Sequence, residues 1–172
     1  SVTILVRGGT RHVVDEAERA VVDGIGAVTS AIEEGKYVTG GGSIEMELAM
    51  RLRKYAIEVG GREQLAIQAF AEALEVIPRT LTESCGLDSI DALVELRATH
   101  EKGGKTIGID VLGAKIGDLK QLNVIEPMKT KKQALQSASE VVEMILRIDD
   151  IIASRSRPAM PPGAGHGMED ME

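Results

Sequence analysis

Aromatic side chains are nearly missing from this chain. Its 172 residues include no Trp, two Tyr and one Phe. Any core must therefore be aliphatic. Apolar residues make up 43%, enough for one compact domain or one domain with a small appendage. Cysteine is limited to Cys85, which excludes an internal disulfide and fits a reducing, cytoplasmic setting. A basic excess is lacking too. The net charge is −7 and the pI about 5.1, so nucleic acid is not expected as a partner, because phosphate binding needs a basic face. No apolar run approaches the roughly 18 residues of a membrane span, and no membrane association is expected. The opening Ser1-Val2-Thr3-Ile4-Leu5-Val6 is too short for a signal peptide and lacks its charged flank. An apolar pattern begins at once with no initiator Met, as in a chain that starts in mid-fold.

What is present is mostly helical periodicity. Thr3 to Arg7 is apolar and β-branched and predicts a buried strand closed by Gly8-Gly9. Thr10 is placed to cap a helix whose apolar stripe is Val14, Ala17, Val21, Ile25, Val28 and Ile32. Gly35 stops it. Gly40-Gly41-Gly42 follows, and Ser43 is the expected N-cap of a second helix, Ile44 to Val59, with Leu48, Leu52, Tyr55 and Ala56 on one side. A third helix, Arg62 to Glu83, carries Leu65, Ala69, Phe70, Leu74 and Ile77 and should kink at Pro78. Asp88 caps a fourth that reaches His100. Thr106 to Val111, a Gly113-Ala114 turn and Lys115-Ile116 predict a hairpin. A last helix, Thr130 to Arg147, turns Leu135, Ala138, Val142, Ile145 and Ile148 inward, and Ile148 to Ala153 is a candidate terminal strand. From Ser154 onward Pro, Gly, Met and acids predict a disordered tail. The fold class is mainly α with short β elements.

Few residues in this scheme point to chemistry. Glycines 40–42 lie ahead of a helix start. Backbone without Cβ atoms can approach a phosphate, and the helix N-terminus offers free N–H groups; a plain hinge has the same sequence. The Gly-x-x-x-x-Gly-Lys-Ser/Thr loop of the P-loop ATPases is absent. Asp23 lies about 200° round its helix from Val21, off the apolar stripe. With Ala20, Gly26 and Ala27 around it the carboxylate is open to a partner, or else it forms a surface pair with Arg19. Glu126, stiffened by Pro127, is suited to accept hydrogen bonds from ribose hydroxyls, or is an ordinary loop acid, and Asp110 sits in the hairpin strand. Asp149 and Asp150 are adjacent and do not converge on a metal. His12, His100 and His166 have no metal-ligand spacing, and Cys85 reads as a small core residue.

The order of motifs is more specific than any one of them. Thr3-Ile4-Leu5-Val6-Arg7-Gly8-Gly9-Thr10, Val14-Asp15-Glu16-Ala17-Glu18-Arg19-Ala20 and Gly40-Gly41-Gly42-Ser43-Ile44-Glu45 resemble the group II chaperonins, the archaeal thermosome and its eukaryotic cytosolic relatives. Ile77-Pro78, Gly86-Leu87-Asp88, Gly108-Ile109-Asp110-Val111, Ile125-Glu126-Pro127 and Ile145-Leu146-Arg147-Ile148-Asp149-Asp150 continue the resemblance through residue 153. It implies an ATP-driven protein-folding ring, with other chaperonin subunits in a double ring and unfolded clients as partners.

The resemblance assigns residues 1–34 to the second segment of an α/β intermediate domain. It assigns 35–153 to the C-terminal half of the multihelical equatorial ATPase domain, and 154–172 to the tail. It makes Asp23 the carboxylate that positions the attacking water. Gly40, Gly41 and Gly42 become the turn over the nucleotide, Asp110, Val111 and Leu112 the adenine lining, and Glu126 the ribose contact. The cofactor implied is ATP/ADP with Mg²⁺. No metal ligand falls in this chain; the Mg²⁺-binding Asp and the Gly-Asp-Gly-Thr-Thr phosphate loop belong to an N-terminal stretch without counterpart here, as does the client-binding apical domain. The isolated chain is therefore expected to be inactive. The alternative is a helical oligomerisation or adaptor module that keeps this fold without the ATPase.

Overall fold

Glycine and aspartate punctuate the chain where the helices stop and start. The structure, a computed structural model, describes residues 2–152. Its elements are α1 (Arg11–Glu34), β1 (Tyr37–Thr39), α2 (Ser43–Val59), α3 (Glu63–Ser84), α4 (Ser89–Glu101), β2 (Ile107–Asp110), β3 (Lys115–Asp118), β4 (Ile125–Pro127) and α5 (Met128–Leu146). Thr10 caps α1 by accepting from the Val13 N–H, and Gly35 ends it in the left-handed region at φ 67°. Asp88 caps α4, accepting from Ile90 N at 2.8 Å and Asp91 N at 3.1 Å. β2 and β3 form the expected hairpin, with Ile109 opposite Ile116.

The chain divides into two compact units, Ser1–Gln136 and Ser137–Glu172. In the first, Met46, Leu93, Leu96 and Ile109 form one core cluster, packed by Met50, Leu81, Cys85, Ile107 and Ile116. Ala49, Ala71 and Leu74 form another, packed by Leu48, Leu52 and Leu135. Both are aliphatic, as the composition requires, and Cys85 serves as a core neighbour. Of the second unit, the end of α5 and the residues up to Ile152 are described. The tail lies outside the described residues, with Met160, His166, Met168 and Met171.

Several expectations are corrected. Thr3 to Arg7 is not a strand, and neither is the stretch from Ile148 to Ile152. Neither has a partner strand among the described residues, and a strand without one leaves its backbone groups unpaired. No residue of α1 is buried; Ile25, Val28 and Ile32 of its stripe are more than half exposed. A stripe is a face awaiting a partner, and periodicity does not say where that partner is. Val142, Ile145 and Ile148 are likewise exposed.

On α3 the buried positions are Ala71, Leu74, Glu75, Pro78 and Thr82, while Leu65, Phe70 and Ile77 are exposed. The buried face is the one turned to α2 and α4, where Ala71 and Leu74 join the core and Glu75 meets Arg53 and Arg97. The helix continues through Pro78, whose ring lies under Gly42; a Cβ added at Gly42 would meet it at 2.8 Å. Tyr55 is exposed as well.

Two buried ionic groups tie the helices. Glu75 of α3, 1% exposed, is held by Arg53 of α2 at 2.9 Å and by Arg97 of α4 through both carboxylate oxygens. The buried His100 ring bridges Glu47 Oε2 at 3.1 Å and the Ile107 carbonyl at 2.9 Å.

Burial pushes the Glu47 carboxyl up, but the hydrogen bonds from His100 and Arg51 outweigh it and hold it below the ordinary 4.5. A lowered folded-state value means that the stability Glu47 contributes is present above about pH 4.5. It is lost as pH falls through that lower value. Thermal melts from pH 7 to pH 3 are expected to show the midpoint dropping across this acidic window, and Glu47→Gln should flatten the drop. A Gln variant with the parent's full acid slope would remove Glu47 from the account.

Candidate nucleotide site

A short antiparallel zipper builds the candidate site. β1 pairs with β4, placing Tyr37 opposite Pro127, Val38 opposite Glu126 and Thr39 opposite Ile125. The pairing continues one step, where the Gly40 N–H donates to the Val124 carbonyl at 3.0 Å. Residues 37–40 and 124–127 are thus laid side by side, which seats the Glu126 side chain on Gly40. A Cβ added at Gly40 would lie 2.8 Å from Glu126 Oε1. Glycine here leaves room for the carboxylate.

The turn then crosses to the hairpin. Gly41 and Gly42 have φ of 60° and 75°, a region that favours glycine. The Ile109 N–H donates to the Gly41 carbonyl at 2.9 Å, and a Cβ added at Gly41 would sit 2.6 Å from the Ile109 carbonyl oxygen. The turn is therefore pressed against β2 on one side and Pro78 on the other. Gly42, not Ser43, is the N-cap of α2 and supplies no side-chain bond. The Ser43 hydroxyl instead donates to the Thr39 carbonyl at 3.0 Å, bracing the turn. The start of α2 keeps its dipole and lacks a capping side chain, a suitable arrangement beside an anionic group.

Glu126 is not a free loop acid. Its Oε2 lies 2.9 Å from Lys131 Nζ in the first turn of α5, and the same Nζ lies 2.8 Å from Oε1 of the buried Glu45. Burial lowers the affinity of Lys131 for its proton, but the two carboxylates more than offset this and hold its pKa above the ordinary lysine value. Sequence reading missed both Lys131 and Glu45 as site residues. Glu45 had a signal, an acid at a glycine-turn helix start; Lys131 had none beyond its place after Glu126-Pro127.

Asp110 ends β2 one residue beyond Ile109, and its Oδ1 accepts from the Gly113 N–H at 2.9 Å, closing the hairpin turn. Val111 and Leu112 stand at that turn, 47% and 100% exposed. Asp23 is elsewhere. It lies on the exposed surface of α1, where Asp15, Glu18, Arg19 and Val22 line a shallow pocket with it. Arg19 pairs with Glu16 at 3.0 Å rather than with Asp23, which has no ion pair among the described residues. Ten residues separate Asp23 from Glu33, about 15 Å along the axis. Near Glu33 the helix foot is held by Lys129 at 3.7 Å and by the Met128 N–H on the Lys36 carbonyl. Gly40, Gly41, Gly42, Glu126 and the β2 strand of Asp110 are therefore brought together, and Asp23 is not.

The chemistry these residues expose can be stated residue by residue. Glu126 presents an acceptor for hydroxyls, the turn presents bare backbone, and Val111 and Leu112 present apolar surface. Among the described residues no group of three His, Cys, Asp or Glu comes together to hold a metal ion. No described helix is long and apolar enough to cross a membrane.

The TCP-1/cpn60 chaperonin family matches residues 1–156. The chain belongs to that family. It is 57% identical over 171 residues to the thermosome subunit beta of Methanothermobacter thermautotrophicus, covering 99% of this chain and 31% of that protein. It is 61% identical over 155 residues to the thermosome subunit of Methanopyrus kandleri, covering 90% and 28%. Among solved structures it resembles the open-state monomer of a group II chaperonin from Methanococcoides burtonii. There the TM-score is 0.72 and the identity 52%, over 82% of this chain and 35% of that one. These likenesses make it a group II chaperonin sequence, and its helical fold with short strands is that of a chaperonin equatorial segment. The chain spans about a third of the length of the curated chaperonin relatives it matches.

Proposed function

We propose that this chain supplies one wall of a split nucleotide site in an ATP-hydrolysing, protein-folding chaperonin subunit. In this reading residues 1–34 belong to the intermediate domain, 35–153 to the second half of the equatorial domain and 154–172 to the tail. The observation that carries it is the zipper that lays Glu126 on Gly40. Glu126 takes the ribose hydroxyls, Gly40 to Gly42 pass under the phosphates, and Asp110, Val111 and Leu112 line the base. Magnesium, bound with ATP, would neutralise phosphate charge through ligands outside this chain. Partners are further subunits in the ring and unfolded client chains, in the cytoplasm.

Asp23 acts as the carboxylate that orients the attacking water. Its distance from the turn requires α1 to swing about its foot. A helix with no buried residue, anchored near Glu33 and ending at a left-handed Gly35, suits such a lever. The isolated chain should not hydrolyse ATP.

Titration of the complete subunit with Mg·ATP tests the wall. Glu126→Ala is expected to weaken binding by about tenfold or more, the size of a lost hydrogen bond to a charged group. Unchanged affinity would remove Glu126 from the site.

A further inference from the structure

Glu126 has two carboxylate oxygens with different surroundings. Oε1 lies against Gly40, and Oε2 is bound by Lys131. Lys131 is also the counter-ion of Glu45, whose other oxygen is buried without a partner. Among the described residues no other cation pairs with either carboxylate. Three elements meet at this ammonium: the first turn of α2, β4 and the first turn of α5.

Glu45 is 3% exposed and cannot leave, so it fixes where the ammonium sits. The ammonium in turn fixes one oxygen of Glu126, whose side chain is 36% exposed and otherwise free to rotate. What remains is Oε1, presented at the glycine turn in one orientation. A flexible glutamate would lose that orientation and give up part of its hydrogen-bond strength as ordering entropy.

We propose that Lys131, pinned by buried Glu45, is a positioning residue that aims Glu126 Oε1 over Gly40 and thereby sets the preference for a nucleotide with ribose hydroxyls. The inference rests on the reading of Glu126 as the ribose contact. Lys131 itself touches no ligand. Its loss should change selectivity at the sugar and leave the phosphate and base contacts alone.

The test compares binding of Mg·ATP and Mg·2′,3′-dideoxy-ATP to the complete subunit. The parent is expected to prefer ATP by roughly tenfold or more. Lys131→Met alone strands a buried Glu45 charge and threatens folding, so it is paired with Glu45→Gln. The folded double variant is expected to lose most of the preference, falling to within about threefold, with its affinity for dideoxy-ATP near the parent's. Lys131→Arg, which keeps a cation between the carboxylates, should retain it. A folded double variant that keeps the parent preference overturns the positioning role. A parent without preference, or a Glu126→Ala variant that keeps it, overturns instead the ribose reading on which the role rests.

Discussion

Asp23→Ala in the complete subunit is expected to lower steady-state ATP turnover by 10²-fold or more while leaving nucleotide affinity within about twofold. The first figure is the usual contribution of a group that positions or activates a reacting water. The second follows from placement. Asp23 is on α1, away from the glycine turn and Glu126, and pairs with no cation among the described residues, so its removal disturbs neither the wall nor the packing. Phosphate release and equilibrium titration on the same preparation separate the two effects. Hydrolysis at the parent rate would end the assignment, and equal loss of binding and turnover would make Asp23 a ligand contact. Asp23→Asn, which keeps shape and hydrogen bonding without the charge, should fall nearly as far.

Glu75→Ala should destabilise the fold by about 3 kcal/mol. Breaking a buried ion pair from one side typically costs roughly 3–5 kcal/mol. The lower end applies because Arg53 and Arg97 are each 38% exposed and recover some hydration. Arg53 Nε is already buried without a partner, so the site has little tolerance for further loss. Replacing the whole group, as Arg53→Met, Glu75→Leu and Arg97→Met together, should stay within about 1 kcal/mol of the parent, since no charge is then stranded. Denaturant unfolding of both variants checks the pair of expectations. A Glu75→Ala midpoint at the parent's value would show that the two guanidinium groups do not depend on Glu75.

Local signals in the sequence carried most of the helical fold. Capping by Thr10 and Asp88, arrest at Gly35 and the β2–β3 hairpin depend on neighbours within a few residues, so they were legible. The β1–β4 zipper was not. Each strand is three residues long, too short for a period to register, and each exists through a partner far along the chain. Thr3 to Arg7 shows the opposite failure, a good strand composition without a partner strand among the described residues.

On the site, the residue types of Gly40–42 and Glu126 suggested phosphate and ribose chemistry, and resemblance assigned them. Their juxtaposition is a tertiary fact. The Glu45–Lys131 link was beyond reach because one lysine of the Lys129, Lys131 and Lys132 cluster at a helix start reads as solvated until a buried acid is found beneath it.

The zipper also imposes an order in time. Gly40 cannot make its bond to Val124, and Glu126 cannot take its seat, until synthesis has passed the second strand, whereas α2 and α3 are neighbours as soon as they emerge. A nascent chain halted after the hairpin therefore owns the glycine turn and lacks its far side. In the proposed reading, competence for the nucleotide arrives late, with a triplet of residues near the end of the described chain.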